Sequence, residues 1–221
     1  MSLDPGYVSS LGVVDTGGNQ RNLSALFTET FTNPATADAD GLLLAAAGPD
    51  TTTATYRADD DTLDGALNVA SVVLFAHPRN VVIVVDHASA VVALSGVITG
   101  TDLHGDTLTE AWSVTAGTTQ KTFTGSKAFK TITQITVIAA ADASLDTVTI
   151  GTGVVFGLSV KCSVASAVKE YSEGSLVTNG VIVAGSSLAA ADARGTYAPN
   201  AAPDGAKDYV VTYITEHPEQ S

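Results

Sequence analysis

Short runs rich in Val, Ile and Thr recur along this chain, and turn-forming residues separate them at short intervals. The pattern has the two-residue period of β-strands, and no long stretch shows the 3.6-residue period of an amphipathic helix. Many short strands with Gly-rich turns predict an all-β fold, either a β-sandwich or a jelly-roll-like domain. The predicted strands cover residues 66–76, 81–86, 91–99, 108–115, 128–138, 147–150, 154–161, 176–183 and 207–214.

Two kinds of local feature can be recognised within this pattern. Residues 97–114 are typical of a β-hairpin, in which Gly105 can adopt the positive φ that the loop requires. The Ala-rich segments 41–48 and 186–193 could each form a short helix, but the Gly and Pro residues that bound them closely count against it.

The character of the sequence changes near residue 65. Residues 1–65 hold ten acidic residues but only two cations, Arg21 and Arg57. We expect residues 1–65 to form a loop-rich acidic N-terminal segment or arm. Residues 66–221 are expected to form a β-sandwich core with a loop-rich C-terminal extension, and the whole chain to fold as one compact domain.

The charge of the chain restricts its partners. Ten Lys and Arg residues against 23 Asp and Glu residues give a net charge of −13. A nucleic-acid binder needs a basic patch, and an anionic membrane would repel such a chain, so we expect neither partner. Only 15% of the residues are charged, while Thr and Ala are abundant. This composition fits a surface covered by partners, and it fits equally well a plain β-protein with a Thr-rich exterior.

The single cysteine, Cys162, excludes an intrachain disulfide, and we predict that it is a small residue on a strand rather than a nucleophile. The N-terminal sequence lacks the basic start and apolar centre of a secretory signal peptide, so we expect synthesis as a soluble protein in the cytoplasm. No apolar run approaches the roughly 20 residues of a membrane span.

No metal or cofactor site is predicted. Asp60, Thr62, Asp64 and Gly65 match the start of a calcium loop, but its twelfth position holds Ser71 rather than Glu. We therefore interpret this segment as a solvated acidic turn. The four histidines have no metal-ligand spacing.

Catalytic motifs are also incomplete. Gly151 and Gly153 start a dinucleotide fingerprint, but Phe156 stands where the third glycine belongs. No Gly-x-Ser-x-Gly motif occurs, and Trp112 is better explained by core packing than by carbohydrate binding. We therefore expect no catalytic residues, and a protein that is not an enzyme.

Several blocks of sequence, taken in order, resemble a group of tailed-bacteriophage structural proteins, the head decoration or capsid cement proteins. The blocks include PRNVVI, ITGTDLHGDTLTE and KAFKTITQI, and DARGTYAP near the C-terminus is similar to the tail of the same group. The resemblance covers about residues 64–213 and leaves residues 1–60 unmatched.

This resemblance implies a structural virion protein that binds the outer surface of a capsid and bridges neighbouring major capsid protein subunits. It also implies a homotrimer, and it offers no catalytic residues. The net charge of −13 favours the outer face, because DNA makes the interior of the shell strongly negative.

Two segments are candidates for the capsid or intersubunit contact. Residues 7–14 have the β-branched content of a strand that could be lent to an exposed sheet edge, and the segment 209–214 near the C-terminus is the second candidate. Tyrosines are enriched at interfaces, although a core or strand-pair role would explain them equally well. The candidate contact residues are Tyr7, Val8, Leu11, Val13, Tyr197, Tyr209 and Tyr213.

Two other functions remain open at this point. The chain could be a tail, neck or fibre protein of a virion that binds a host glycan. It could also be a non-viral β-sandwich adhesion module, although the absence of a signal peptide and an anchor counts against this interpretation.

Overall fold

The computed structural model describes residues 25–215, and their fold is all-β, as the strand period predicts. The strands pair antiparallel throughout. They are β1 (Ala25–Phe31), β2 (Leu43–Ala47), β3 (Thr53–Arg57), β4 (Asn68–Val69), β5 (Val72–Asp86), β6 (Leu94–Thr101), β7 (Thr107–Val114), β8 (Lys121–Thr124), β9 (Phe129–Ala139), β10 (Thr147–Gly157), β11 (Cys162–Ser172), β12 (Ser175–Val177), β13 (Val181–Ala184), β14 (Gly195–Ala198) and β15 (Tyr209–Thr215).

The larger of two sheets has eleven strands and curls around the first hydrophobic core. Its main path runs β13-β14-β10-β5-β9-β6-β7, while β2 pairs with β10, β3 with β9, and β4 and β8 with β5. Buried and exposed residues alternate along β6 and β7, so one face of each strand packs on this core. Trp112 lies opposite Gly96 and donates a 3.0 Å hydrogen bond to the carbonyl of Thr136, which confirms its expected place in the core.

The smaller sheet has four strands in the order β1-β15-β11-β12. A second hydrophobic core lies between this sheet and the β10, β13 and β14 strands of the larger one. Aromatic rings dominate this core. The ring of Phe31 stacks on Phe156 at 5.1 Å and on Tyr197 at 5.5 Å between centroids.

Two carboxylates of the smaller sheet accept hydrogen bonds from backbone N–H groups of residues that lie just before or just after strands of the larger sheet. Glu170 is fully buried and accepts hydrogen bonds from the N–H groups of Gly180 and Asn200. Glu29 accepts the N–H of Ser159, just after β10. Because hydrogen bonds to a charged acceptor are among the stronger ones, these carboxylates join the two sheets.

Neither Ala-rich segment forms a helix. Residues 43–47 form β2, which pairs with β10, because Leu42 and Leu43 are buried in the first core and the Leu42 N–H bonds the Ile150 carbonyl at 3.0 Å. Residues 186–193 form bends and turns, including a turn closed by the Ala191 N–H on the Leu188 carbonyl. In residues 43–47, tertiary pairing overrides the helix propensity of alanine.

Three strands, β1, β2 and β3, lie within the segment 1–65, and each pairs with a strand from much later in the chain. The predicted hairpin is present as β6 and β7, and Gly105 in its loop has a φ of +88°. No helix that could cross a membrane is found among residues 25–215.

Candidate partner-binding surface

The three tyrosines predicted as contacts are buried inside the chain. Tyr197, Tyr209 and Tyr213 are all 0% exposed and belong to the second core. Burial raises the pKa of Tyr197, and the nearby carboxylate of Glu170 adds to this effect. Burial and the nearby carboxylate of Glu29 raise the pKa of Tyr213 in the same way. A partner cannot reach these rings in the folded chain, so the geometry supports the alternative core role.

The segment 209–214 is also unavailable for strand lending. It belongs to β15, which pairs with β1 on one side and β11 on the other, so its backbone has no free edge. The other predicted contacts, Tyr7, Val8, Leu11 and Val13, lie outside the described residues.

Loops from three distant parts of the chain meet at one end of the larger sheet. Asp102, in the β6–β7 loop, forms an ion pair with Arg194 of the segment that leads into β14. Asp192 accepts a 3.1 Å hydrogen bond from the N–H of Ala128, the residue just before β9. Residues far apart in sequence therefore tie three loops together.

Glu110 is the most deeply buried carboxylate of this group. Its Oε1 accepts the N–H and the hydroxyl of Ser126 at 2.6 and 2.8 Å, while its buried Oε2 has no hydrogen-bond partner. Burial raises the pKa of Glu110, and the bonds from Ser126 and Lys127 only partly oppose that effect. The Lys127 ammonium donates to the carbonyl of Thr109 at 2.7 Å. Glu110 and Lys127 are therefore engaged in hydrogen bonds that hold these segments together.

The acidic turn predicted near residue 60 is closed by its own residues. Asp60 accepts hydrogen bonds from both the N–H and the hydroxyl of Thr62, as in an Asx-turn. Within the described part of the chain, no three His, Cys, Asp or Glu residues are grouped as a metal site would require.

The β4–β5 hairpin presents an apolar tip to solvent, which we call the hairpin tip (residues 68–74). Val69, Val72 and Leu74 are 69%, 53% and 60% exposed. Single exposed apolar residues are common, but three within one hairpin form a patch that favours a protein contact. The turn between the strands, Ala70-Ser71, has positive φ at both residues although neither is glycine.

A groove of about 520 Å³ adjoins the hairpin tip. One wall is the segment 34–39, and the other is β5 from Leu74 to Arg79. The lining is mostly small or apolar, as in many ligand sites. We call this feature the β5 groove.

Arg79 holds the outer wall of the β5 groove. Its guanidinium donates to the carbonyls of Ala35 and Thr36 at 2.7 and 3.0 Å and lies 5.2 Å from the centroid of the Phe156 ring. Burial lowers the pKa of Arg79, an effect that the charge of Asp38 opposes. Arg79 is only 6% exposed, and its Nε has no hydrogen-bond partner.

Sequence reasoning placed a strand over residues 66–76 but missed the hairpin tip. The alternation of Val72 and Leu74 with the buried Val73 and Phe75 was visible, and it separates two faces of a strand. All four are apolar, however, so the sequence does not reveal which face is left uncovered.

No family model, no curated protein and no solved structure matches the chain significantly.

Proposed function

We propose that this chain is a non-catalytic structural protein of a bacteriophage virion. It binds the outer surface of the capsid, as a homotrimer, and bridges neighbouring major capsid protein subunits. The observation that carries this proposal is the hairpin tip, because its exposed apolar side chains, Val69, Val72 and Leu74, project from a hairpin rather than from a cleft.

The charge and the sequence resemblance support the same role. With a net charge of −13, the chain is repelled by packaged DNA and is suited to the outer face of a shell. A cement protein stabilises the assembled state because it binds adjacent shell subunits and not separated ones. Many copies make a weak individual contact sufficient.

Binding to capsids that lack this protein tests the proposal. We expect the wild-type chain to saturate such capsids and raise their thermal stability, and Val69→Asp/Val72→Asp to lower occupancy at least tenfold. The matched control is Leu145→Asp/Leu188→Asp, which adds the same charge at side chains that are 79% and 72% exposed. The control should bind like wild type.

Cryo-electron microscopy of the decorated particles gives the position of the protein. Density that bridges capsid subunits on the outer face supports the proposal. Density confined to the tail or neck, or binding to a host glycan without capsid binding, would replace it with one of the other functions. Loss of binding in both double variants would mean that added charge, rather than the hairpin tip, matters.

A further inference from the structure

The smaller sheet ends in a long strand that is paired on one side only. Its strand order is β1-β15-β11-β12, so among residues 25–215 β1 pairs with β15 alone. β1 has seven residues, whereas β12 at the other end of the sheet has three. An edge strand presents unpaired N–H and C=O groups on its outer side, and these groups can pair with another extended segment.

β1 carries none of the features that usually protect an edge strand. It contains no Lys and no Pro, and its register with β15 runs from Ala25 to Phe31 without a bulge. Its one charged side chain, that of Glu29, is engaged in hydrogen bonds with Ser159 and Tyr213. On the outer face of the strand, Leu26 is 51% exposed. The edge therefore suits a further strand with uncharged side chains.

The sequence that leads into β1 has the pattern of a strand followed by a hairpin turn. Residues 7–14, YVSSLGVV, have high strand propensity and no charged side chain. Asp15-Thr16-Gly17-Gly18-Asn19 comes next. Gly-Gly between two strand-like runs is a strong hairpin signal, because the central residues of the tight turn need positive φ. The pattern predicts that residues 7–14 return antiparallel along the strand after the turn, which is β1.

The position of the turn sets the register of such a hairpin. A loop centred on Gly17-Gly18 places Val8 directly opposite Phe27. Phe27 is half-buried at the edge of the second core, where its ring lies 5.6 Å from that of Tyr213 between centroids. In this register an apolar side chain covers the part of the Phe27 ring that the described strands leave open, and the second core gains a further apolar contact.

The direct connection to β1 favours the same chain as the source of the added strand. Only residues 15–24 separate the segment 7–14 from β1. A segment on a short flexible connection has an effective concentration of about 1 mM at its target. A second copy at the micromolar concentrations of a protein in solution would have to compete with this attached segment.

We propose that residues 7–14 pair antiparallel with the free edge of β1 in the same chain, as a fifth strand of the smaller sheet. The added strand covers the edge and prevents the free protein from pairing edge to edge with other copies. It also makes this segment unavailable as a strand to lend to a capsid subunit. The inference does not depend on the proposed function, which uses the hairpin tip.

Disulfide formation in the isolated full-length protein tests the pairing. Ser9→Cys/Leu26→Cys joins two positions that the Gly17-Gly18 loop places opposite each other. The control, Ser9→Cys/Thr30→Cys, uses an exposed position on the same face of β1, four residues further along. Opposite Cα atoms lie about 5 Å apart, whereas an offset of four residues adds about 13 Å, and a disulfide bridges no more than about 7 Å. We expect the first pair to close within one chain at least tenfold faster on mild oxidation.

The disulfide results distinguish three arrangements. Faster closure of the first pair in a monomer supports the proposal. Equal rates for the two pairs would overturn it, because closure of a flexible loop depends only weakly on loop length. Disulfide-linked dimers in place of monomers would overturn it as well, since a second copy would then supply the strand.

Amide hydrogen exchange in β1 provides a second measurement. Ser9→Pro/Leu11→Pro removes two N–H groups from the added strand and prevents its pairing. We expect the β1 amides that face the free edge to exchange at least tenfold faster in this variant than in wild type. The matched control, Ser2→Pro/Leu3→Pro, changes the same residue types outside the segment 7–14 and should exchange like wild type. Unchanged exchange in Ser9→Pro/Leu11→Pro would overturn the proposal. Neither measurement requires a capsid, so its failure leaves the proposed function unaffected.

Discussion

The hydroxyl of Tyr213 donates a 2.9 Å hydrogen bond to Oε2 of Glu29, and the same carboxylate accepts the N–H of Ser159 at 3.1 Å. Tyr213 and Glu29 belong to adjacent strands of the smaller sheet, whereas Ser159 follows β10 of the larger one. One carboxylate therefore links the two sheets at the edge of the second core.

Removing this hydroxyl should weaken the link without disturbing the ring packing. Tyr213→Phe deprives Glu29 of one donor and leaves the carboxylate partly buried, so we expect a loss of about 1–2 kcal/mol in the free energy of unfolding. Urea denaturation measures this change. Tyr171→Phe, at a half-buried position of β11, is the control and should cost less than about 0.5 kcal/mol. Equal effects in both variants would show that the bond to Glu29 contributes nothing.

The ion pair between Asp102 and Arg194 predicts a loss of stability in acid. Burial tends to raise the pKa of Asp102, but the bonds from Arg194 and from the N–H groups of His104 and Asp106 outweigh that effect and lower the pKa. A lowered pKa in the folded state stabilises the fold above about pH 4, and this contribution disappears as the pH falls through the folded pKa.

Asp102→Asn tests the ion pair, because the amide oxygen can still accept the two backbone bonds. At pH 7 we expect a loss of about 1 kcal/mol relative to wild type. The difference should shrink as the pH is lowered below about 4, since wild-type Asp102 is then protonated too. A difference that stays constant from pH 7 to pH 3 would contradict the electrostatic explanation. Thermal unfolding at several pH values gives the comparison.

Glu110 predicts the opposite pH dependence. Burial raises its pKa, so the protonated form is favoured in the folded state, and its contribution to stability is lost as the pH rises through the folded pKa. Glu110→Gln keeps an oxygen for Ser126 and removes the buried charge. We expect this variant to be more stable than wild type at pH 7 by about 1 kcal/mol, and the advantage to vanish near pH 4.

An exposed acid provides the control for Glu110. Asp50→Asn removes one negative charge from an exposed loop position and should change the free energy of unfolding at pH 7 by less than about 0.5 kcal/mol. If Glu110→Gln instead unfolds at a lower temperature than wild type at pH 7, the ionised carboxylate stabilises the loops, and the prediction is wrong.

The turn of the hairpin tip predicts a stabilising substitution. Ala70 and Ser71 have φ values of +52° and +63°, and the pairing of Val69 with Val72 leaves these two residues as the whole turn. Asn tolerates this left-handed region better than Ala does, so Ala70→Asn should raise the free energy of unfolding by about 0.5–1 kcal/mol. Ala165→Asn, in β11 where φ is negative, should give no gain. A destabilised Ala70→Asn variant would contradict this account.

The period of the sequence was sufficient to predict the fold class and one complete hairpin. Between Val97 and Val114, alternation and the position of Gly105 determine both the strands and the loop, because all the information is local. Pairings such as β1 with β15 join residues nearly 190 positions apart. No local pattern encodes that choice, so neither the sheet order nor the second core could be derived from the sequence.

The candidate surface was harder to predict than the fold. A tyrosine suits an interface or a core equally well, and the burial of Tyr197, Tyr209 and Tyr213 depends on a sheet packing that the sequence does not show. The β5 groove arises from a break in pairing between Leu74 and Arg79, within a segment whose composition is that of an ordinary strand. Such irregularities depend on all the neighbouring strands together.

Cys162 was predicted to be a small strand residue, and it is the first residue of β11 with 0% exposure. Burial raises the pKa of its thiol, and the thiol S–H donates a 3.0 Å hydrogen bond to the Val164 carbonyl. Because the thiolate is the reactive form and the sulfur is shielded, the native protein should react with a thiol reagent only when it unfolds. The labelling rate should therefore follow the unfolding equilibrium in urea, with a free reference thiol reacting immediately under the same conditions. Rapid stoichiometric labelling in buffer would show that the β11 end of the second core opens without global unfolding.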